Sequence, residues 1–275
     1  MDLRVLGPVE VWVDGRVLVA TRPQQTAVLA MLAVDANRLV RTETLIDRLW
    51  GDRPPDRARR TLHTHISRIR RMLEQPSDPG SEAARLVRRP GGYVLSVDAD
   101  HVDLHRFRRL VARADAARGS VEERVASLRQ AMTLWRGDPL ADVPGEWAGR
   151  VREAWRQRYL DAVAAWARAE VEIGNPGAVI GPLTVLVGEY PLAEFLVAAL
   201  MRAMHAAGRT AEALDYFART RRRLVEEVGI EPGAELRGVH RAVLRGEAVG
   251  APGRSAPVPW VPLSHRSPTR LAQAG

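Results

Sequence analysis

The chain has 275 residues, 46% of them hydrophobic, enough for two compact domains with cores of their own. All 41 basic residues are arginine and the formal net charge is +8, which excludes a Walker, Schiff-base or kinase-type lysine and favours forked contact with phosphate and guanine. Cysteine is absent, so there are no disulfides or thiolate metal sites, as suits a cytoplasmic protein.

Charge is unevenly spread. Residues 1–97 hold 16 arginines against 11 acids, residues 98–247 hold 22 against 22, and residues 248–275 hold three arginines and no acid. The first segment is therefore the nucleic-acid candidate and the second a neutral helical body. The N-terminal MDLRVLGPVEV carries Asp2 and Glu10 and does not read as a signal peptide. The most apolar region, Gly174 to Met201, is interrupted by Pro176, Pro182 and Pro191 and by Glu189 and Glu194, which argues against a membrane span.

Leu3 to Val19 reads as short strands, with Leu3 and Val5, then Val9, Val11 and Val13, an Asp14-Gly15 turn, and Val17 and Val19. Pro23 suits the first turn of a helix whose buried face is Val28, Leu29, Leu32 and Ala33. A second helix follows, with Thr42 as its expected cap, Glu43 in its first turn and Leu45, Ile46, Leu49 and Trp50 on its apolar side.

After a loop from Gly51 to Pro55 comes the densest arginine stretch, PPDRARRTLHTHISRIRRML. Ala58, Leu62, Ile66, Ile69 and Leu73 draw one apolar stripe along a third helix, for which Asp56 is the expected cap. The other faces carry Arg57, Arg59, Arg60, Arg68, Arg70 and Arg71, with no acid from Arg57 to Leu73. Like charges at helical spacing repel, so this segment favours an external anion, and duplex DNA is the candidate. His63 is expected outward and His65 packed; one residue apart, they cannot face a single metal. A polar linker, Glu74 to Ala84, leads to two β-prone runs, Leu86 to Arg89 and Tyr93 to Val97, joined by Pro-Gly-Gly as a hairpin whose first arm bears Arg88 and Arg89.

Strands, three helices and a basic hairpin in this order describe a winged helix. Its third helix is expected in the major groove, and its hairpin on the neighbouring backbone. Arg60, His63, Thr64 and Ser67, opposite Leu62, Ile66 and Ile69, are the expected base contacts, and Arg68 is placed to reach a guanine edge or a phosphate. Arg57, Arg59, Arg70, Arg71, Arg88 and Arg89 are the expected phosphate contacts. The stretch from RPQQTAVLAML to IRRML, with RRPGGYVLSV, resembles the OmpR-type winged helix of the SARP family of actinobacterial activators.

An acidic joint, Asp98 to Asp103, precedes a helix begun by Leu104, Phe107, Leu110 and Val111, with Asp103 as its expected cap. Ser120 and Glu123 make a capping box for the next helix. Gly174 and Gly208 lie 34 residues apart, each expected to end one helix before another that begins with small residues, which is the tetratricopeptide period and suggests stacked helical hairpins. LHRFRRLV, LWRGDPLADV, EAWRQRYLDAV and AGRTAEALDYFARTRRRLVEEVGIEPGAEL are similar to the bacterial transcriptional activator domain of the same family. Residues 248–275, rich in Pro, Ser and Ala, read as a disordered tail. No GxxxxGK[ST] exists, so ATP binding by that device is not expected, and the chain reads as a small family member or a truncated one.

The organisation read from the sequence is an α+β winged helix over 1–97, an all-α TPR-like domain over 98–247 and a tail. The resemblance implies binding to direct repeats near promoters of secondary-metabolite clusters and recruitment of RNA polymerase holoenzyme, with the helical domain serving polymerase contact or a homodimer on DNA. The rival reading is a helical-repeat scaffold whose basic domain binds nucleic acid without sequence preference. No catalytic set or cofactor loop stands out, so neither enzyme activity nor a cofactor is expected.

Other clusters have plainer readings. His101 and His105 flank Asp103, but Val102 stands where a metalloprotease helix needs glutamate, so no metal is expected. Arg219, Arg221, Arg222 and Arg223 are expected to pair with Glu226 and Glu227 on a solvated face. Trp135, Trp147, Trp155 and Trp166 read as packing residues, and Gly174, Gly177 and Gly181 as turn and helix-packing residues.

Overall fold

The computed structural model describes residues 1–13, 15–18, 22–74, 84–117 and 120–247. Asp14 and Val19, most of the linker before the hairpin and the C-terminal tail lie outside the described residues.

The chain opens with an antiparallel sheet in the order β1 (Asp2–Arg4), β2 (Glu10–Val13), β3 (Arg16–Leu18). Leu3 and Val11 face each other across β1 and β2, both buried, so the alternation in sequence becomes one covered face. α1 (Pro23–Val34) begins with a proline where no backbone N–H is needed. Every residue from Gln25 to Ala33 is buried, not only the expected four, because α1 is covered by α2 (Thr42–Trp50), α3 (Ala58–Leu73) and, through His105, the helical region.

A second sheet has the order β4 (Val40–Arg41), β6 (Gly92–Ser96), β5 (Arg85–Arg89). Pairing of Arg89 with Gly92 shortens the connection to Pro90-Gly91, so Gly92 belongs to β6 and not to the turn. Gly91 takes φ +80°, and a Cβ on Gly92 would lie 2.1 Å from the Val40 carbonyl oxygen; only glycine lets β4 lie against the wing.

A 3-10 turn, Ala99–His101, leads into the helices: α4 (Asp103–Ala116), α5 (Val121–Met132), α6 (Glu146–Glu172), α7 (Gly177–Glu189), α8 (Glu194–Ala206), α9 (Thr210–Arg223), a π-turn over Leu224–Val228, and α10 (Ala234–Leu244). Ser120 Oγ caps α5 by accepting the Glu123 N–H at 3.1 Å. Gly174 and Gly208 end α6 and α8 at φ +77°, and α7 and α9 start just beyond. The 34-residue echo therefore marks two successive helical hairpins, and α8 packs against α6, α7, α9 and α10.

Buried apolar side chains bridge the sheets and the helices. One buried cluster joins Leu3, Val28, Leu62 and Leu95 to Leu104, Phe107, Leu140 and Trp155. Asp103 does not cap α4; it is the first helical residue, and its carboxylate accepts the N–H groups of Val5 (2.8 Å), Leu6 (3.0 Å) and Leu104 (2.7 Å). Val5 and Leu6 are thereby drawn out of the expected strand into a strap, whose carbonyls accept from Leu140 (3.0 Å) and Arg136 (2.9 Å). Arg136 also bridges to Glu10 at 2.8 Å. Burial pushes the Asp103 carboxyl up to about 6, against the pull of its N–H donors and Arg136.

Candidate nucleic-acid interface

Two consecutive prolines delay the third helix. Ala58 N–H bonds the Pro55 carbonyl at 2.8 Å and α3 starts there, with Arg57 at the capping position and no side-chain cap, so Asp56 is not the cap. Thr42 is likewise not a cap; it is the first residue of α2, after Arg41, because strand pairing of Val40 and Arg41 fixes where the chain turns. The apolar stripe of α3 is buried throughout, which fixes the helix's rotation and turns the opposite face outward.

On that outward face Arg57, Arg59, Arg60, His63, Thr64, Ser67 and Arg71 are exposed and Arg68 is half-buried. Thr64 Oγ1 donates to the Arg60 carbonyl at 3.1 Å and Ser67 Oγ to that of His63 at 2.9 Å, so both hydroxyls turn acceptor lone pairs outward. His65 is buried, its Nε2 3.2 Å from Gln24 Oε1; burial, with Arg68 and Arg22, lowers its pKa. His63 faces out, and its Nδ1 lies 2.7 Å from the hydroxyl of Tyr93 on β6.

The arginines divide into three groups. Arg59 pairs with Glu43 of α2 at 2.7 Å, both side chains well exposed. Arg70 is half-buried and donates Nε–H to the Leu86 carbonyl at 3.1 Å, tying α3 to the first wing strand; it is an internal brace as well as an expected phosphate contact. Arg57, Arg60, Arg68, Arg71, Arg88 and Arg89 make no ion pair among the described residues. Arg88 and Arg89 sit exposed at the wing tip, next to the turn.

The other clusters resolve internally. His101 pairs with Asp2 at 2.8 Å while His105 is buried against the Ala33 carbonyl at 3.0 Å, so the two imidazoles do not converge. Arg219 pairs with Asp215 and Arg221 with Glu231, correcting the expected pairing with Glu226 and Glu227; the π-turn at Leu224 takes those acids out of helical register. Trp147 and Trp155 are buried, Trp135 and Trp166 half-buried, and Phe107 meets the Trp135 and Trp155 rings edge-on. Among the described residues no helix is long and apolar enough to cross a membrane.

Sequence reasoning missed Tyr93, Glu43 as an arginine partner, and Asp103 as a clamp. Each acts on a residue distant in sequence, and nothing local marks it.

Residues 15–95 match the family described as "Transcriptional regulatory protein, C terminal", and residues 102–244 the "Bacterial transcriptional activator domain". The chain is 34% identical to regulatory protein DnrI of Streptomyces peucetius, across 96% of this chain and 98% of that one. It is 34% identical to regulatory protein AfsR of Streptomyces griseus across 93% of this chain, but spans only 26% of AfsR. A solved structure of Mycobacterium tuberculosis EmbR in complex with a low affinity phosphopeptide superposes with a TM-score of 0.79 at 32% identity, covering 90% of this chain and 65% of that one. The chain belongs to the SARP family of transcriptional regulators, in which an OmpR-type winged helix precedes an all-helical activator domain.

Proposed function

We propose that the protein is a sequence-specific DNA-binding transcriptional activator, with residues 1–97 as the DNA-binding domain and residues 98–247 as the activator domain. α3 lies in the major groove, with Arg60, His63, Thr64, Ser67 and Arg68 at base edges, and the β5–β6 hairpin rests on the adjoining backbone. Arg57, Arg59, Arg71, Arg88 and Arg89 contact phosphate, and Arg70 does so with the nitrogens its bond to Leu86 leaves free. The observation that carries this reading is a helix face and wing tip with six arginines unpaired among the described residues, in a protein that elsewhere pairs many of its arginines with acids.

Family membership supports the biological setting: promoter direct repeats of a secondary-metabolite cluster, recruitment of RNA polymerase by the helical domain, self-association on DNA, and a place in the cytoplasm on the nucleoid. Footprinting on the DNA beside the protein's own gene is expected to protect a repeated site. Neutralising about six phosphates gives a slope of log K against log salt of about −5. Equal affinity for that DNA and a scrambled duplex would replace this reading with the nonspecific scaffold.

A further inference from the structure

His63 is held from below by a residue of the wing. Tyr93 sits in the central strand of the second sheet, opposite Val40 on one side and Arg88 on the other, and is 2% exposed. Its hydroxyl is 2.7 Å from Nδ1 of His63, and the rings meet edge-to-face at 75°. His63 itself is exposed, so its remaining nitrogen, Nε2, is the one available to a molecule on the α3 face.

Which nitrogen carries the proton follows from what the phenol needs. The His63 ring nitrogen is the phenol's sole hydrogen-bond partner among the described residues, and burial leaves it little water. If Nδ1 held the proton and donated to the tyrosine, the phenolic O–H would be left without an acceptor in a buried place, which is costly. If the phenol donates to Nδ1, both groups are satisfied and the imidazole proton sits on Nε2. The Tyr93 pKa is raised by burial, against the opposing influence of Arg88 and Arg70, so the phenol keeps the proton it donates.

We propose that Tyr93 is a positioning residue that fixes His63 as an outward Nε2–H donor, so that His63 selects a base with an acceptor at its major-groove edge and rejects cytosine. Guanine offers O6 and N7, adenine N7 and thymine O4, whereas cytosine presents only its N4 amino donors. Two donors facing each other leave both unpaired, so the discrimination is chiefly against cytosine and on the order of fivefold for one neutral hydrogen bond. The inference rests on the proposed DNA reading of α3 and adds to it the chemical sense of one contact.

The test uses the full chain as wild type, Tyr93→Phe, His63→Ala and the double variant, each selected against a randomised duplex pool and sequenced. Wild type is expected to show one position at which cytosine is depleted, on the order of fivefold. Y93F and H63A are each expected to flatten that position, and the double variant no further than H63A. Y93F that weakens every sequence alike while keeping the cytosine depletion would make Tyr93 a packing residue and overturn the inference alone. Failure of the wild type to enrich any sequence would sink the DNA reading and this inference with it. Independently of DNA, the ¹⁵N chemical shifts of the wild-type His63 ring are expected to place the proton on Nε2; a proton on Nδ1 overturns the inference.

Discussion

The α3 face and the helical body are built from the same cation in opposite electrical settings. In the body, Glu170 is fully buried and accepts from Nε and Nη2 of Arg129 at 2.6 and 2.7 Å, from the Trp166 indole at 2.6 Å and from Asn175 at 2.9 Å, joining α5, α6 and the turn before α7. Burial pushes the Glu170 carboxyl up, but these donors outweigh it and hold its pKa below the usual range. Arg202 and Glu235 tie α8 to α10 at 3.1 Å with the burial reversed, the guanidinium covered and the carboxylate half-exposed. At the start of α3 Arg57 and Arg60, and further along it Arg68 and Arg71, stand at like-charge i, i+3 spacing with no acid of their own among the described residues. Arg129 in the body contributes to the fold's stability, whereas the unpaired arginines of α3 detract from it until an external anion arrives.

The sharpest break between the two regions comes from Glu170→Ala. Removing the carboxylate takes the shared acceptor from the half-buried Trp166 indole, the exposed Asn175 amide and the half-exposed Arg129 guanidinium. The charge left behind, the Arg129 guanidinium, is half open to water and not buried, so the loss is that of the hydrogen bonds to a charged acceptor, and about 2 to 3 kcal/mol is expected in urea melts. Duplex affinity at a temperature where the variant is folded should be unchanged. Arg60→Ala is the converse. Affinity for a selected site should fall by about 1 to 3 kcal/mol with relaxed preference at one base, while the urea midpoint stays level or rises by a few tenths of a kcal/mol as repulsion with Arg57 is relieved. An Arg60→Ala protein that unfolds more easily and binds as before would erase the distinction between the regions.

What could be read from the sequence was whatever depends on local spacing. The α3 stripe needed only the recurrence of Leu62, Ile66 and Ile69; the wing needed Pro90-Gly91 between β-prone runs; the two hairpins needed Gly174 and Gly208. Side-chain roles set by long-range partners could not be read. Asp103 looked like a cap because it precedes an apolar helix, yet its acceptors' donors lie 97 and 98 residues away in the strap. Tyr93 and His63 are 30 residues apart and meet because the wing folds back beside α3. The cap at Thr42 fails for the same reason, because pairing of β4 with β6 sets the backbone there; Asp56 fails locally, because the turn to the Pro55 carbonyl starts the helix at Ala58.

The joint between the two regions should respond to pH in two senses. His105 at the joint is buried against the Ala33 carbonyl, and His65, inside the winged helix, is buried beside Gln24; burial lowers both native pKa values below the 6.5 of the unfolded chain. As pH falls through 6.5 the unfolded state takes up protons that the native state refuses, and stability falls by up to about 1.4 kcal/mol per pH unit for each histidine. Asp103, at about 6 when folded against 3.8 unfolded, acts the other way: between about pH 6 and 4 the native state binds the extra proton and gains stability. Urea melts from pH 7.5 to 5 should show the loss begin before the offset. His105→Gln should flatten the upper part of that curve and Asp103→Asn should deepen the lower part; parallel curves for all three proteins would mean that neither group titrates differently on folding.

The smallest effect sits where the comparison blurs, at Arg59, the one α3 arginine paired with an acid among the described residues. Its bridge to Glu43 is exposed on both sides, so the pair contributes no more than tenths of a kcal/mol to stability. DNA binding asks Arg59 to give up that carboxylate for a phosphate, and Glu43 itself adds a negative charge beside the backbone it would approach. Glu43→Gln should leave the urea midpoint within about 0.5 kcal/mol of wild type. It should also tighten binding to all duplexes alike by a few tenths of a kcal/mol, without altering base preference, and the gain should shrink as salt is raised. Weaker binding in Glu43→Gln would instead mean that the bridge orients Arg59 toward its phosphate, making Glu43 a support for the interface and leaving the contrast between paired and unpaired arginines to the remaining α3 and wing residues.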